Sequence, residues 1–209
     1  MFSSFTVKDL TDQIKPITDH WAKEGITFDA MYTGYLGSFE QIDLMKEMAD
    51  TFVKDGSILF VDPAMADNGK LYPAFNEDFA KYMATLCAKA DYVVPNITEA
   101  CFMLGEEYKE KYDEAYVKNL LKKLTALGAK TAVLTGVSFE EGKTGVMGYE
   151  KATGEYVRSA IGDKFKDVCD EYHNILLEAI AQTSDELMDK FFNEEPISRE
   201  EALEAIHNG

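Results

Sequence analysis

Short apolar runs, each followed by a segment with helical spacing, constrain this chain more than any other feature. SILFV (57–61), YVV (92–94) and TAVL (131–134) are too short for buried helices, and Gly, Pro, Asp or Thr bounds them. An earlier run, DAMYTGYL (29–36), reads as a strand ending near Gly34 and Tyr35. Behind a Ser38 cap, residues 39–53 place Ile42, Met45, Met48, Ala49 and Phe52 on one helical face. Asn76 caps a helix running to about Ala88. Further helices are predicted over 98–104 and 114–127, the second stopping at Gly128. Residues 144–149 and 155–159, joined through Lys151-Ala152-Thr153-Gly154, read as a hairpin. Strands alternating with helices predict an α/β fold with a mainly parallel sheet and helices on both faces.

From Asp167 the pattern changes. Tyr172, Ile175, Leu176, Ala179 and Ile180 form an amphipathic stripe, Ser184 precedes a second helical segment, and Ser198-Arg199-Glu200-Glu201 opens a third. Two regions are therefore expected, an α/β core over 1–160 and an all-helical tail over 161–209. Charge marks the same division. Residues 158–209 carry five basic against thirteen acidic side chains, a far denser excess than in the rest of a chain of net charge -17. Such a field repels phosphate backbones and argues against nucleic-acid binding. No apolar run has the length to span a bilayer, and the first residues lack a signal-peptide pattern, so no membrane role is expected. Cys87, Cys101 and Cys169 are scattered without CxxC spacing, which fits buried thiols in a reducing cytoplasm.

Ligands of an open parallel sheet bind beyond the carboxyl ends of its strands. Gly34 and Tyr35, Asp62, Asn96, and Thr135 with Gly136 are the polar or glycine positions there. Asp62 and Asp67 lie in one loop, VDPAMADNGKLY (61–72), and either orient the waters of a bound Mg²⁺ or are solvated acids in a turn. In PNITEA (95–100), Asn96 and Glu99 stand three apart at a helix start. They either face one cleft, where a carboxylate would hold hydrated Mg²⁺, or form an N-cap with its capping-box partner. GVSFEEGKT (136–144) is not a P-loop: it has five residues between the glycines where four are required, and two glutamates in the cradle. The three histidines are too dispersed for a metal cluster.

MYTGYLGSF, VDPAMADNGKLY, PNITEA and AVLTGVS, in this order and at these separations, resemble a bacterial pyridoxal kinase of the ribokinase-like superfamily over about Phe5 to Tyr156. The resemblance implies ATP and Mg²⁺, with Asp62 and Glu99 serving the metal. It places Asp67, Tyr72, Asn96, Thr135 and Gly136 at the nucleotide, and Tyr35 by a pyridoxal ring. Ala66 stands where that family usually has glycine, and its methyl is expected to crowd the loop. At the family's Gly-Thr-Gly-Asp turn, which supplies an anion hole and the catalytic base, this sequence has Ala160-Ile161-Gly162-Asp163. Asp163 is the candidate base. The family's first strand and substrate loop, on the order of 45 residues, are expected to be missing. Residues 171–209 resemble a helical stretch at the end of the GTPase domain of translation elongation factor G, without a GTP-binding motif. The chain accordingly reads as a chimera.

Two functions follow as expectations. One is ATP-dependent phosphorylation of the 5′-hydroxyl of pyridoxal, weak or lost through the altered ends, in a homodimer such as relatives form. The other is a non-catalytic acidic protein that binds a basic protein partner.

Overall fold

The computed structural model describes residues 6–161, apart from 55 and 141. In chain order the elements are α1 (Thr11–Lys23), β1 (Ala30–Thr33), α2 (Phe39–Phe52), β2 (Ile58–Val61), β3 (Ala66–Asp67), β4 (Lys70–Leu71) and α3 (Glu77–Cys87). They continue as β5 (Tyr92–Val93), α4 (Ile97–Leu104), α5 (Glu114–Leu127), β6 (Thr131–Val137), β7 (Thr144–Glu150) and β8 (Tyr156–Ile161). The expected strands and helices are present within a few residues of their predicted limits. The tail segments, Cys169 and Asp163 lie outside the described residues.

Helix starts follow their capping chemistry. Ser38, Asn76, Asn96 and Asp113 each accept the backbone N–H three residues on, so each satisfies a donor that the first helical turn leaves without a partner. α1 was not foreseen. Pro16 lies inside it and reads as a breaker, and Leu10 at its N-cap has no side-chain acceptor, so the preceding Asp9 carboxylate serves its start, taking the Thr11 N–H at 2.8 Å. Tertiary contacts hold it instead: Trp21 packs edge-on against Phe28 and Phe52, with ring centroids 5.5 and 6.3 Å apart.

The main sheet has the order β1-β2-β5-β6-β7-β8. Its first four strands are parallel, and β7 runs antiparallel to β6. Parallel strands laid down in consecutive order, each crossover right-handed, bring the connecting helices to one face. Burial agrees. Met31, Thr33, Leu59, Val61, Val93, Ala132 and Leu134, which alternate onto that face, are all buried. They meet Ile42, Phe79, Met83, Leu120, Leu121 and Leu124 from the helices, each large side chain worth roughly 1.5–3 kcal/mol when fully buried. On the other face Tyr32, Phe60, Tyr92, Thr131 and Glu150 line up in register. They are exposed or half-buried among the described residues. Phe60 and Tyr92 stack there with centroids 4.7 Å apart.

A separate two-stranded sheet, β3-β4, was not foreseen either. Asn68 and Gly69 sit between its strands at φ 50° and 74°, the positive-φ pair of a tight two-residue hairpin turn. No helix of the described residues is long and apolar enough to cross a membrane.

Candidate active site

The carboxyl ends of β1, β2, β5 and β6 form one edge, and the backbone ties their extensions together. The Asp62 N–H donates to Thr33 O at 2.9 Å and the Val94 N–H to Val61 O at 3.0 Å. The Thr135 N–H reaches Pro95 O at 2.9 Å, and Asn96 bridges to Thr135 in parallel. Asp62, Asn96, Glu99 and Thr135 thus belong to one rim, despite spanning more than seventy positions of sequence.

Asp62 is half-buried at the end of β2. Tyr32 Oη donates to its Oδ2 at 2.8 Å, and the Ala64 N–H donates to Oδ1 at 3.3 Å. The hydrogen bond to Asp62, with burial adding to it, raises the Tyr32 phenol above its ordinary value. Tyr32 was overlooked in the sequence; its signal was the alternation of β1, which sends Tyr32 away from the core side that Met31 and Thr33 share.

PNITEA takes the capping alternative, and the side chains of Asn96 and Glu99 reach further, to the loop after β2. Asn96 and Glu99 form a complete capping box at the start of α4. The remaining capacity of each goes to the loop after β2. Asn96 Nδ2 donates to Ala66 O at 2.7 Å, while Glu99 Oε1 accepts the N–H groups of Met65 at 3.0 Å and Ala66 at 3.4 Å. Glu99 Oε2 accepts the Asn96 N–H at 2.9 Å. Glu99 is 3% exposed. Burial raises its carboxyl above the usual range, against the pull of the three N–H donors. Asn96 and Glu99 therefore act first on the loop backbone.

Ala66 sits in this loop with its methyl fully buried in the core, on ordinary extended backbone. Asp67 stands exposed at the hairpin, its oxygens receiving the Asn68 N–H and Nδ2 at 2.8 and 2.9 Å. The exposed Tyr72 returns its N–H to Met65 O at 2.9 Å. Burial raises its phenol, and the charges of Glu99, Asp67 and Asp62 act in the same direction.

Gly136, at φ 67°, occupies the irregularity between Thr135 and Val137 where β6 shifts register against β7. The Thr135 hydroxyl donates to Pro95 O at 3.4 Å. Tyr35, 61% exposed beyond β1, lies 5.4 Å from the Phe75 ring. Ala160 and Ile161 continue β8 as strand, and Asp163 lies outside the described residues.

Among the described residues no three His, Cys, Asp or Glu side chains converge on a point. Asp62 and Asp67, at least partly open beside buried Glu99, fit a hydrated Mg²⁺ that keeps most of its waters better than a protein cage.

Known proteins share the sequence pattern and the fold. The phosphomethylpyrimidine kinase family model matches residues 8–165. A crystal structure from Bacteroides thetaiotaomicron, assigned as a phosphomethylpyrimidine kinase, is 34% identical and superposes with a TM-score of 0.74 over 77% of this chain and 56% of that one. An orthorhombic crystal form of that protein contains pyridoxal. Pyridoxal kinase from Lactobacillus plantarum is 28% identical, with a TM-score of 0.68 over 78% of this chain and 56% of its own. A pyridoxal kinase of Dictyostelium discoideum is 26% identical over 140 residues, 66% of this chain and 44% of that protein. The chain spans about half the length of these relatives. With an α/β fold of mostly parallel strands, the chain belongs to the phosphomethylpyrimidine kinase family, which the ribokinase-like pyridoxal kinases resemble in both sequence and fold.

Proposed function

We propose that the strand-end rim is the nucleotide- and metal-facing part of a kinase site. Its reaction is transfer of the γ-phosphoryl group of ATP to the hydroxymethyl group of a pyridoxal-like ring. One observation carries this reading: Asp62, Asp67, Asn96, Glu99 and Thr135, from three separate stretches, gather at one carboxyl edge of a parallel sheet.

Mg²⁺, when bound, would screen the phosphate charge and hold the phosphates in line. Asp62 and Asp67 would hold its waters, and Glu99 would set the loop that carries them. Thr135 and Gly136 would face the nucleotide, with Tyr72 beside it and Tyr35 against the acceptor ring. In the transfer, a bond forms between the acceptor oxygen and the γ-phosphorus, the bond to the β-phosphate oxygen breaks, and ADP departs. Asp163 would take the hydroxyl proton.

Turnover is expected to be slow. Ala160 and Ile161, in place of the small, flexible pair, keep their N–H groups but continue the strand instead of turning toward the phosphates, and the loss of one such donor costs about 10²–10³ in rate. Buried thiols at Cys87 and Cys101 fit a cytoplasmic setting.

The test is formation of pyridoxal 5′-phosphate from pyridoxal and Mg-ATP by the purified chain. A slow rate that Asp67→Asn abolishes is expected. A rate untouched by Asp67→Asn would refute the assignment of this rim.

A further inference from the structure

We infer that Thr98, outside the nucleotide- and metal-facing positions above, is a positioning residue that latches the β3–β4 hairpin to α4 and so fixes the Asp67 carboxylate. The inference rests on the nucleotide reading of this rim.

The hairpin has only two ladder pairs, Ala66 with Leu71 and Asp67 with Lys70. A ribbon that short does not hold itself in water, so its place must be set from outside. The first turn of α4 sets it. Asn96 and Glu99 grip the root, at Met65 and Ala66. Thr98 grips the tip: its Oγ1, on a residue 2% exposed, accepts the Gly69 N–H at 3.0 Å. Tyr108 packs against the same glycine, where a Cβ on Gly69 would stand 2.7 Å from the ring's Cδ1. Gly69 is therefore held by a hydroxyl and crowded by an aromatic ring. The Asp67 carboxylate is bonded to Asn68, the other residue of the same turn, so its direction follows the turn. Removing the Thr98 acceptor frees the tip about its root, and Asp67 moves with it.

Thr98→Val keeps the shape and removes the acceptor; Thr98→Ser keeps the acceptor. Two measurements on the whole chain decide. Without ligand, amide exchange at Gly69 should quicken about 5–10-fold in the Val variant, the worth of one hydrogen bond. Met65 and Ala66 should change little, and Ser should restore Gly69. In calorimetric titration the Val variant should bind Mg-ATP about 5–10-fold more weakly, again restored by Ser. Unchanged Gly69 exchange in Thr98→Val would remove the latch. Faster exchange with undiminished Mg-ATP affinity would show a bond that positions nothing. A wild-type chain that binds no Mg-ATP would sink the nucleotide reading instead, and the exchange pattern would then decide the latch alone. Should Thr98→Val fail to fold, Gly69→Ala displaces the tip from the Tyr108 side and must lower Mg-ATP affinity in the same way.

Discussion

Glu99 and Met65 meet across 34 positions of sequence: Glu99 Oε1 accepts the Met65 N–H at 3.0 Å, inside the protein. That bond joins the first turn of α4 to the loop leaving β2, and the rim is built around it.

Glu99→Ala should therefore cost stability as well as ligand affinity. It strands the N–H groups of Met65, Ala66 and Asn96, the first two on fully buried residues. Each unsatisfied buried donor costs about 1–3 kcal/mol, partly recovered by relaxation, so a loss of about 2–4 kcal/mol is expected. Denaturant unfolding measures it. A loss below about 1 kcal/mol would mean that the loop is held by other contacts.

Tyr32→Phe separates the two effects. Tyr32 is 63% exposed, so losing its hydroxyl should leave stability within about 0.5 kcal/mol. Asp62 loses the 2.8 Å bond that orients Oδ2. The Mg²⁺ dependence of ATP binding should shift to higher metal concentration. Titration of Mg²⁺ at fixed ATP in both proteins checks this, and superimposable curves would remove Tyr32 from the site.

What the sequence disclosed and what it concealed have physical causes. Buried strands announce themselves as apolar runs, so β2, β5 and β6 were legible. Thr135 was placed past the end of its strand because pairing with β7, a long-range event, extends β6 to Val137. α1 was hidden by Pro16, and Trp21 packing overrides that local signal. The hairpin was hidden because strands of two residues have no periodicity, although Asn68-Gly69 carried its turn. Asn96 and Glu99 were legible as a pair but not in their role, since a capping box and a ligand site call for the same residues at the same spacing. Thr98 lay unremarked between them, because nothing local reveals that a turn thirty residues earlier needs an acceptor. Asp163, the candidate base, lies outside the described residues.

Gly128→Ala probes the packing of α5. Gly128 sits at φ 147°, and an added Cβ would stand 2.3 Å from Ala88 O, a backbone atom with little room to yield. A loss of roughly 1–3 kcal/mol is expected, larger than the usual effect of a surface glycine. Thermal melting checks it; an unchanged midpoint would mean that the turn after α3 moves freely.

Asp91 should give the chain part of its acid sensitivity. Burial acts to raise its carboxyl, but the pairing with Lys130 and the Leu59 N–H at 2.7 Å outweigh it, and the value lies below the ordinary 3.8. A depressed acid contributes stability that is present above its unfolded value and lost as pH falls through its folded one. Stability from Asp91 should therefore hold above about pH 4 and decline below it. Asp91→Asn should flatten that part of the acid limb in unfolding measured against pH. An equal acid decline in both proteins would assign the sensitivity elsewhere.

Melting temperature with and without Mg-ATP bears most directly on the rim itself, because a ligand bound by the folded chain alone must raise it. The midpoint should rise with Mg-ATP, rise less when EDTA removes the metal, and stay level in Asp67→Asn. An unmoved midpoint in the wild-type chain at millimolar Mg-ATP would contradict a nucleotide site at the ends of β2, β5 and β6.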